Sequence, residues 1–137
     1  MALRGTPELR ARMKAIKVAF KPIGRNWAED TVHLAQARVA VRTGATRRSI
    51  RVKNASMKKA SVVAIWGARF IEQGTKAHDI KARRKTVMRF EANGTIFARK
   101  VHKPAQGARP FLEPAAEAAL RKNPMAAELI KLWNEAA

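Results

Sequence analysis

The sequence predicts an α+β domain, with a mainly antiparallel sheet of about four strands set between helical ends. Three observations predict it. Apolar residues recur at spacings of three and four from Leu9 to Val39 and again from Met125 to Trp133, the period of an amphipathic helix. Between these stretches apolar and polar residues alternate, the period of a half-buried strand. An Asn93-Gly94 dipeptide divides the last alternating run, and Asn-Gly marks a tight hairpin because both turn residues need positive φ.

The first helix is expected to begin at Thr6, whose hydroxyl can cap it. Pro7 suits the first helical position, and Glu8 faces the positive end of the helix dipole. Leu9, Met13, Ile16, Phe20, Ile23 and Trp27 form its stripe. Pro22 falls inside the stripe and is expected to kink or split the helix, because proline removes a backbone donor. The stripe then moves to Ala28, Val32, Ala35 and Val39, giving two helical pieces that end before Gly44. Thr43-Gly44 reads as the stop, with Gly44 in the left-handed conformation of a helix cap. In "RRSIRVKN" Ile50 and Val52 alternate with polar residues, and "SVVAIW" (residues 61–66) is a short apolar run. The two can pair as a hairpin through "ASMKK". The Asn-Gly hairpin places strands at about 85–92 and 95–102. Pro114 then opens one C-terminal helix, and Asn123-Pro124 restarts another whose apolar face holds Met125, Leu129, Ile130, Leu132 and Trp133.

Composition sets the outer limits. The 137 residues suggest one domain over 1–137. Lys and Arg number 29 against 10 Asp and Glu, a formal charge of +19. Such a chain repels itself and attracts polyanions: phosphate backbones, acidic protein surfaces or anionic membranes. There is no cysteine, which removes disulfides, thiolate metal sites and cysteine nucleophiles. Tyrosine is absent and aromatics are 6%, which weakens a single-strand nucleic-acid reading that needs stacking faces. "MALRGTPELRARMK" has no apolar segment of a secretory signal, and no run approaches the roughly 18 apolar residues of a membrane span. The expectation is a soluble protein made in the cytoplasm, without a membrane partner.

The chemical motifs are thin. His33 lies on a helical stretch with no carboxylate to orient it. His78, Asp79 and His102 could meet only if the fold joins them, and none has the i, i+4 spacing of a helical metal site. Ser49, Ser56 and Ser61 lack a nucleophile-elbow pattern. "GTKAHD" lacks the glycine spacing of a phosphate loop. Glu72, before Gly74, reads as a turn anchor or a partner for an arginine. The reading is therefore no enzyme, no cofactor and no metal. Charge carries more weight. From Lys76 to Lys103 there are nine Lys and Arg, opposed by Asp79 and Glu91. Lys81, Arg83, Arg84, Lys85, Arg99 and Lys100 are the candidate basic surface. Three readings stay open for it: a phosphate-tracking hairpin, a contact with acidic faces of neighbouring subunits, or a solvated surface.

Three phrases in order are more specific: "VRTGATRRSIRV" (41–52), "FIEQGTKAHDIKAR" (70–83) and "GARPFLEPAAEAAL" (107–120). Together, over about residues 7–121, they resemble the small neck proteins of long-tailed phages. These are called head–tail joining or tail-completion proteins, the family named after gene product ten of a lambdoid phage. The chain departs from the family pattern at Ala45 and Thr46. The resemblance implies a non-catalytic structural virion protein of the neck. It would form a homo-oligomeric ring, with six copies expected, joining the tail tube to the head connector. Connector and tail-tube or tail-terminator proteins would be its partners, and DNA would pass through without sequence recognition. Tail-terminator and head-closure proteins of the same neck are the near alternatives, and a ribosomal or nucleoid nucleic-acid binder is the distant one. Candidate subunit contacts are Ile71, Glu72, Gly74, Thr75, Pro110, Phe111 and Leu112. Gly74 permits a sharp turn, and Thr75 is expected to hydrogen-bond the turn backbone. Phe111 and Leu112 sit on a segment constrained by Pro110 and Pro114, either as core plugs or as anchors on a neighbour.

Overall fold

The computed structural model describes residues 5–42, 44–91 and 93–135. The architecture is α+β, with a long N-terminal helix, antiparallel strands in small sheets and C-terminal helices. The chain divides into two compact units. One comprises Met1–Ala68 and Pro110–Ala137, and the other is the inserted segment Arg69–Arg109. Among the described residues no helix is long and apolar enough to cross a membrane.

The first unit is organised by helix α1 (Pro7–Arg38). Thr6 caps it as its sequence predicts, its hydroxyl accepting from the Leu9 amide at 3.3 Å. The helix runs unbroken through Pro22, so the anticipated split does not occur. Pro22 is exposed, and proline costs one backbone bond that the packing of a 32-residue helix can absorb. The buried face is Ile23, Gly24, Ala28, Thr31 and Ala35. Leu9 and Met13, at the start of the predicted stripe, are exposed.

Small residues let neighbours come close to that face. A Cβ on Gly24 would stand 3.0 Å from the Ala60 Cβ. Helix α4 (Leu112–Lys122) buries Ala115 and Ala119, and Trp27 donates its indole Nε1 to the Ala116 carbonyl at 3.1 Å. Helix α5 (Met125–Glu135) buries no residue, but Arg12 lies over the Trp133 ring at 5.7 Å. Phe111 is 1% exposed and Ile50 is 2% exposed, and they are the largest fully buried apolar side chains among the described residues.

Gly44 is left-handed (φ 74) and begins a short helix α2 (Ala45–Ser49); the reading of Thr43 as part of the stop lies outside the described residues. That turn displaces the expected start of the first strand. Ser49 holds it by donating to the Thr46 carbonyl at 2.6 Å and accepting from the Ile65 amide at 2.9 Å. Strand β1 (Arg51–Ala55) pairs antiparallel with β2 (Ala60–Val63), with a register shift between Val52 and Asn54. Their turn is closed by Ser56, whose amide donates to the Lys59 carbonyl at 2.9 Å. β2 ends at Val63, so Ile65 and Trp66 leave the predicted strand and are exposed.

The second unit begins within a short helix α3 (Ala68–Gln73), which the sequence reading does not contain. Gly74 then turns the chain with φ 76. Thr75 and Gln106 exchange both backbone hydrogen bonds, at 2.9 and 2.8 Å. From there a two-stranded antiparallel arm runs outward in sequence. Strand β3 (His78–Lys81) pairs with β6 (Lys100–Lys103), and β4 (Met88–Glu91) pairs with β5 (Thr95–Ala98). Asn93 (φ 49) and Gly94 (φ 125) supply the positive-φ turn. The single strand expected at 95–102 is thus two, separated at Arg99. Among the described residues the one sheet of about four strands resolves into three two-stranded ladders.

Candidate functional site

The arm's register builds the site. The β3–β6 ladder starts at His78 opposite Lys103 and ends at Lys81 opposite Lys100, followed by a hydrogen bond from the Ala82 amide to the Arg99 carbonyl at 3.1 Å. The next pair is Met88 opposite Ala98. One strand therefore steps from Arg99 to Ala98 while the other inserts Arg83, Arg84, Lys85, Thr86 and Val87. This excursion is a large relative of the β-bulge, which adds unpaired residues to one strand only. It lines an open cleft of about 720 Å³ with Ala82, Met88, Arg89 and Phe97.

The candidate basic residues fall along this arm. Lys81 ends β3, Arg83, Arg84 and Lys85 form the excursion, Arg99 sits between β5 and β6, and Lys100 opens β6. All six are exposed. Lys100 is held by Asp79 at 2.8 Å, whereas Lys81, Arg83, Arg84, Lys85 and Arg99 have no carboxylate partner among the described residues. Phe97, which the sequence reading passed over, is 64% exposed and stands opposite Arg89 across the β4–β5 ladder. Arg89 is held by Glu91 at 3.2 Å.

The histidines behave as cross-strand partners. Asp79 faces His102 in the β3–β6 register. One Asp79 oxygen meets His102 Nδ1 at 2.8 Å, and the other accepts from Lys100 Nζ. Lys100 chiefly, then His102, holds the Asp79 carboxyl below its ordinary range by hydrogen bonding to the charged form. His78 takes the opposite face of the ladder and meets the Lys76 carbonyl at 2.9 Å. The fold thus joins Asp79 to His102 but seats a lysine on the same carboxylate. No group of three or more His, Asp or Glu able to hold a metal occurs among the described residues.

The candidate subunit contacts divide between the two units. Ile71 and Glu72 lie half-buried on α3, and the Ile71 carbonyl accepts from the Arg109 amide at 2.8 Å. Gly74 belongs to the turn. Thr75 differs from the expectation: its backbone makes the bridge to Gln106, but its buried hydroxyl has no hydrogen-bond partner among the described residues, rather than bonding the turn. Pro110 is exposed, and Leu112 is half-buried at the first position of α4. For Phe111 the structure selects the core: a ring with 1% exposure offers no surface to a neighbour. Pro110 and Pro114 therefore aim it inward.

No protein-family model, curated protein or solved structure matches the chain.

Proposed function

We propose that this chain is a structural protein of a phage neck. It closes into a ring between the head connector and the tail tube, with the genome passing through, and it carries out no catalysis. The ordered motifs at 41–52, 70–83 and 107–120 support the family. The observation that carries an assembly role is the arm. No described residue of Arg69–Arg109 is buried, yet each of its two ladders carries apolar cross-strand pairs. Met88 and Phe90 of β4 oppose Ala98 and Ile96 of β5, and Ile80 opposes Val101. A two-stranded ribbon is marginal alone and gains from a further surface against such pairs. In a ring the next subunit or a neck partner supplies it, through heterologous contacts that close on themselves.

The test is the mass and shape of the purified chain. Closed rings of one stoichiometry, seen by native mass spectrometry and negative-stain microscopy, are the expected result. A monomer across micromolar concentrations, with connector and tail-tube proteins present, would overturn the proposal. A second reading, a free-standing nucleic-acid binder, is favoured by the unpaired cations of Arg83, Arg84 and Lys85. It predicts strong binding to duplex DNA by the monomer, falling steeply with salt.

A further inference from the structure

We propose that the cleft beside the Arg83–Val87 excursion binds single-stranded nucleic acid, with strand phosphates on Arg83, Arg84 and Lys85 and one unstacked base on the ring of Phe97. This goes beyond the neck reading and does not depend on it.

Two independent features of the cleft point to such a ligand. The first is uncompensated positive charge. Three consecutive cations stand on a segment that leaves the ladder between Ala82 and Met88. Among the described residues none of the three has a carboxylate partner, and Arg83 to Val87 make no backbone hydrogen bond. Their side chains are exposed and therefore available to anions. Of the cations lining the cleft, Arg89 is the one already engaged, by Glu91. No acidic residue lines it.

The second feature is the aromatic face. Phe97 lines the same cleft and is 64% exposed, the one phenylalanine among the exposed large apolar residues of the described part of the chain. An apolar ring held out beside unpaired cations is the arrangement of a strand-binding groove, in which charge tracks the backbone and an aromatic stacks a base. A single strand supplies a regular row of anions and a flat face at each nucleotide, so one ligand uses both features. A duplex supplies the anions but keeps its base faces covered by their neighbours. A polyacidic peptide supplies anions without a ring face. The low aromatic content that argued against strand binding across the whole chain does not apply to a site that needs one ring.

The experiment is fluorescence anisotropy of the full-length chain with a labelled oligothymidylate of roughly twelve nucleotides, across a salt series. Replacing Arg83, Arg84 and Lys85 by Gln should reduce the slope of log K against log salt by about 2, from about 0.7 per phosphate contact on a single strand. Phe97→Ala should weaken binding by about fivefold or more at every salt concentration, leave the slope unchanged, and be rescued by Phe97→Trp. The substituted excursion residues are exposed and lie outside both ladders, and circular dichroism verifies that the variants keep their fold. The proposal is overturned by an unchanged slope in the triple variant. It is also overturned if a duplex of equal length binds as tightly and Phe97→Ala has no effect, which would mark a phosphate-only surface. Displacement of the oligonucleotide by polyglutamate as readily as by unlabelled strand would overturn it in favour of an acidic protein. Rings without strand binding would sink this inference alone, and a strand-binding monomer would sink the ring alone.

Discussion

Asn123 donates its side-chain amide to one oxygen of Asp30 at 2.7 Å, and Lys122 reaches the other oxygen at 3.0 Å. Asp30 is on α1, and the two donors stand at the C-terminal end of α4, where Asn123 also caps the helix and bonds the Ala119 carbonyl. One carboxylate therefore pins the end of α4 to the spine of the unit. Lys122 is largely exposed, so most of the effect rests on the amide. Asp30→Ala should destabilise the protein by about 1–2 kcal/mol, the range for a charge-assisted hydrogen bond that is partly screened. Urea unfolding with an unchanged m-value is the measurement.

The same contact gives a pH dependence. Hydrogen bonds from Asn123, then from Lys122, hold the Asp30 carboxyl below its ordinary value of 3.8. A carboxyl lowered on folding stabilises fully above the unfolded value, and the gain is lost as pH falls through the folded one. Stability should therefore drop as pH falls below about 4. Asp30→Asn should remove part of that acid limb while leaving the curve near neutrality displaced and flat. An acid limb of unchanged steepness in the variant would contradict the assignment.

Phe111 separates packing from assembly. Its ring fills the core beside α4, so Phe111→Ala should cost about 3–5 kcal/mol in the isolated chain. Ile71 is half-buried on α3, and Ile71→Ala should cost less. Both losses should appear in thermal unfolding at concentrations where the chain is monomeric. If Phe111→Ala unfolded at the wild-type midpoint and failed only in ring formation, the core placement would be wrong.

Gly74 is required by two constraints at once. Its φ of 76 lies in the left-handed region, and a Cβ there would stand 2.5 Å from the Gln106 carbonyl oxygen and 2.8 Å from the Ala108 amide nitrogen. Gly74→Ala should cost about 1–3 kcal/mol in strain and open the Thr75–Gln106 bridge. Amide exchange at Thr75 and Gln106 should speed up. Gly94 is the control. Its φ of 125 is also positive, but nothing lies within 4 Å of its Cβ position, so Gly94→Ala carries strain without the clash.

The regular parts of the fold were legible because each is written in local pattern. Thr6-Pro7-Glu8, the alternation around Ile50 and Val52, and Asn93-Gly94 each fix a cap, a strand or a turn within a few residues. Most of what was missed depends on partners distant in sequence. The five-residue excursion is invisible in its own strand, since Ile80, Ala82, Met88 and Phe90 keep one phase. The trace of it lies on the opposite strand, where the apolar positions step from Ile96 and Ala98 to Val101 and change phase at Arg99. Reading that slip would have divided the strand and exposed Phe97. Helix α3 was missed because "ARFIEQ" is too short to show a period. Phe111 could not be assigned from sequence, as a constrained aromatic suits a core and an interface equally.

Pro22 offers the remaining prediction. It interrupts the hydrogen-bond ladder of α1 near the middle, leaving the Val18 carbonyl without its helical donor, yet the helix continues on both sides. Val18 is 56% exposed and Pro22 is exposed, so water can reach that carbonyl and the cost is smaller than for a buried gap. What keeps the helix intact lies further along, where Ala28, Thr31 and Ala35 are buried and Trp27 reaches Ala116. Pro22→Ala should restore the donor and remove the ring's clash with the preceding turn. It should therefore raise stability by about 1–3 kcal/mol, below the full interior penalty of about 3 kcal/mol. Thermal unfolding of the variant checks this. A lowered midpoint would mean that the proline ring's own packing beside Ala19 and Leu132, which line one groove with it, outweighs the missing hydrogen bond.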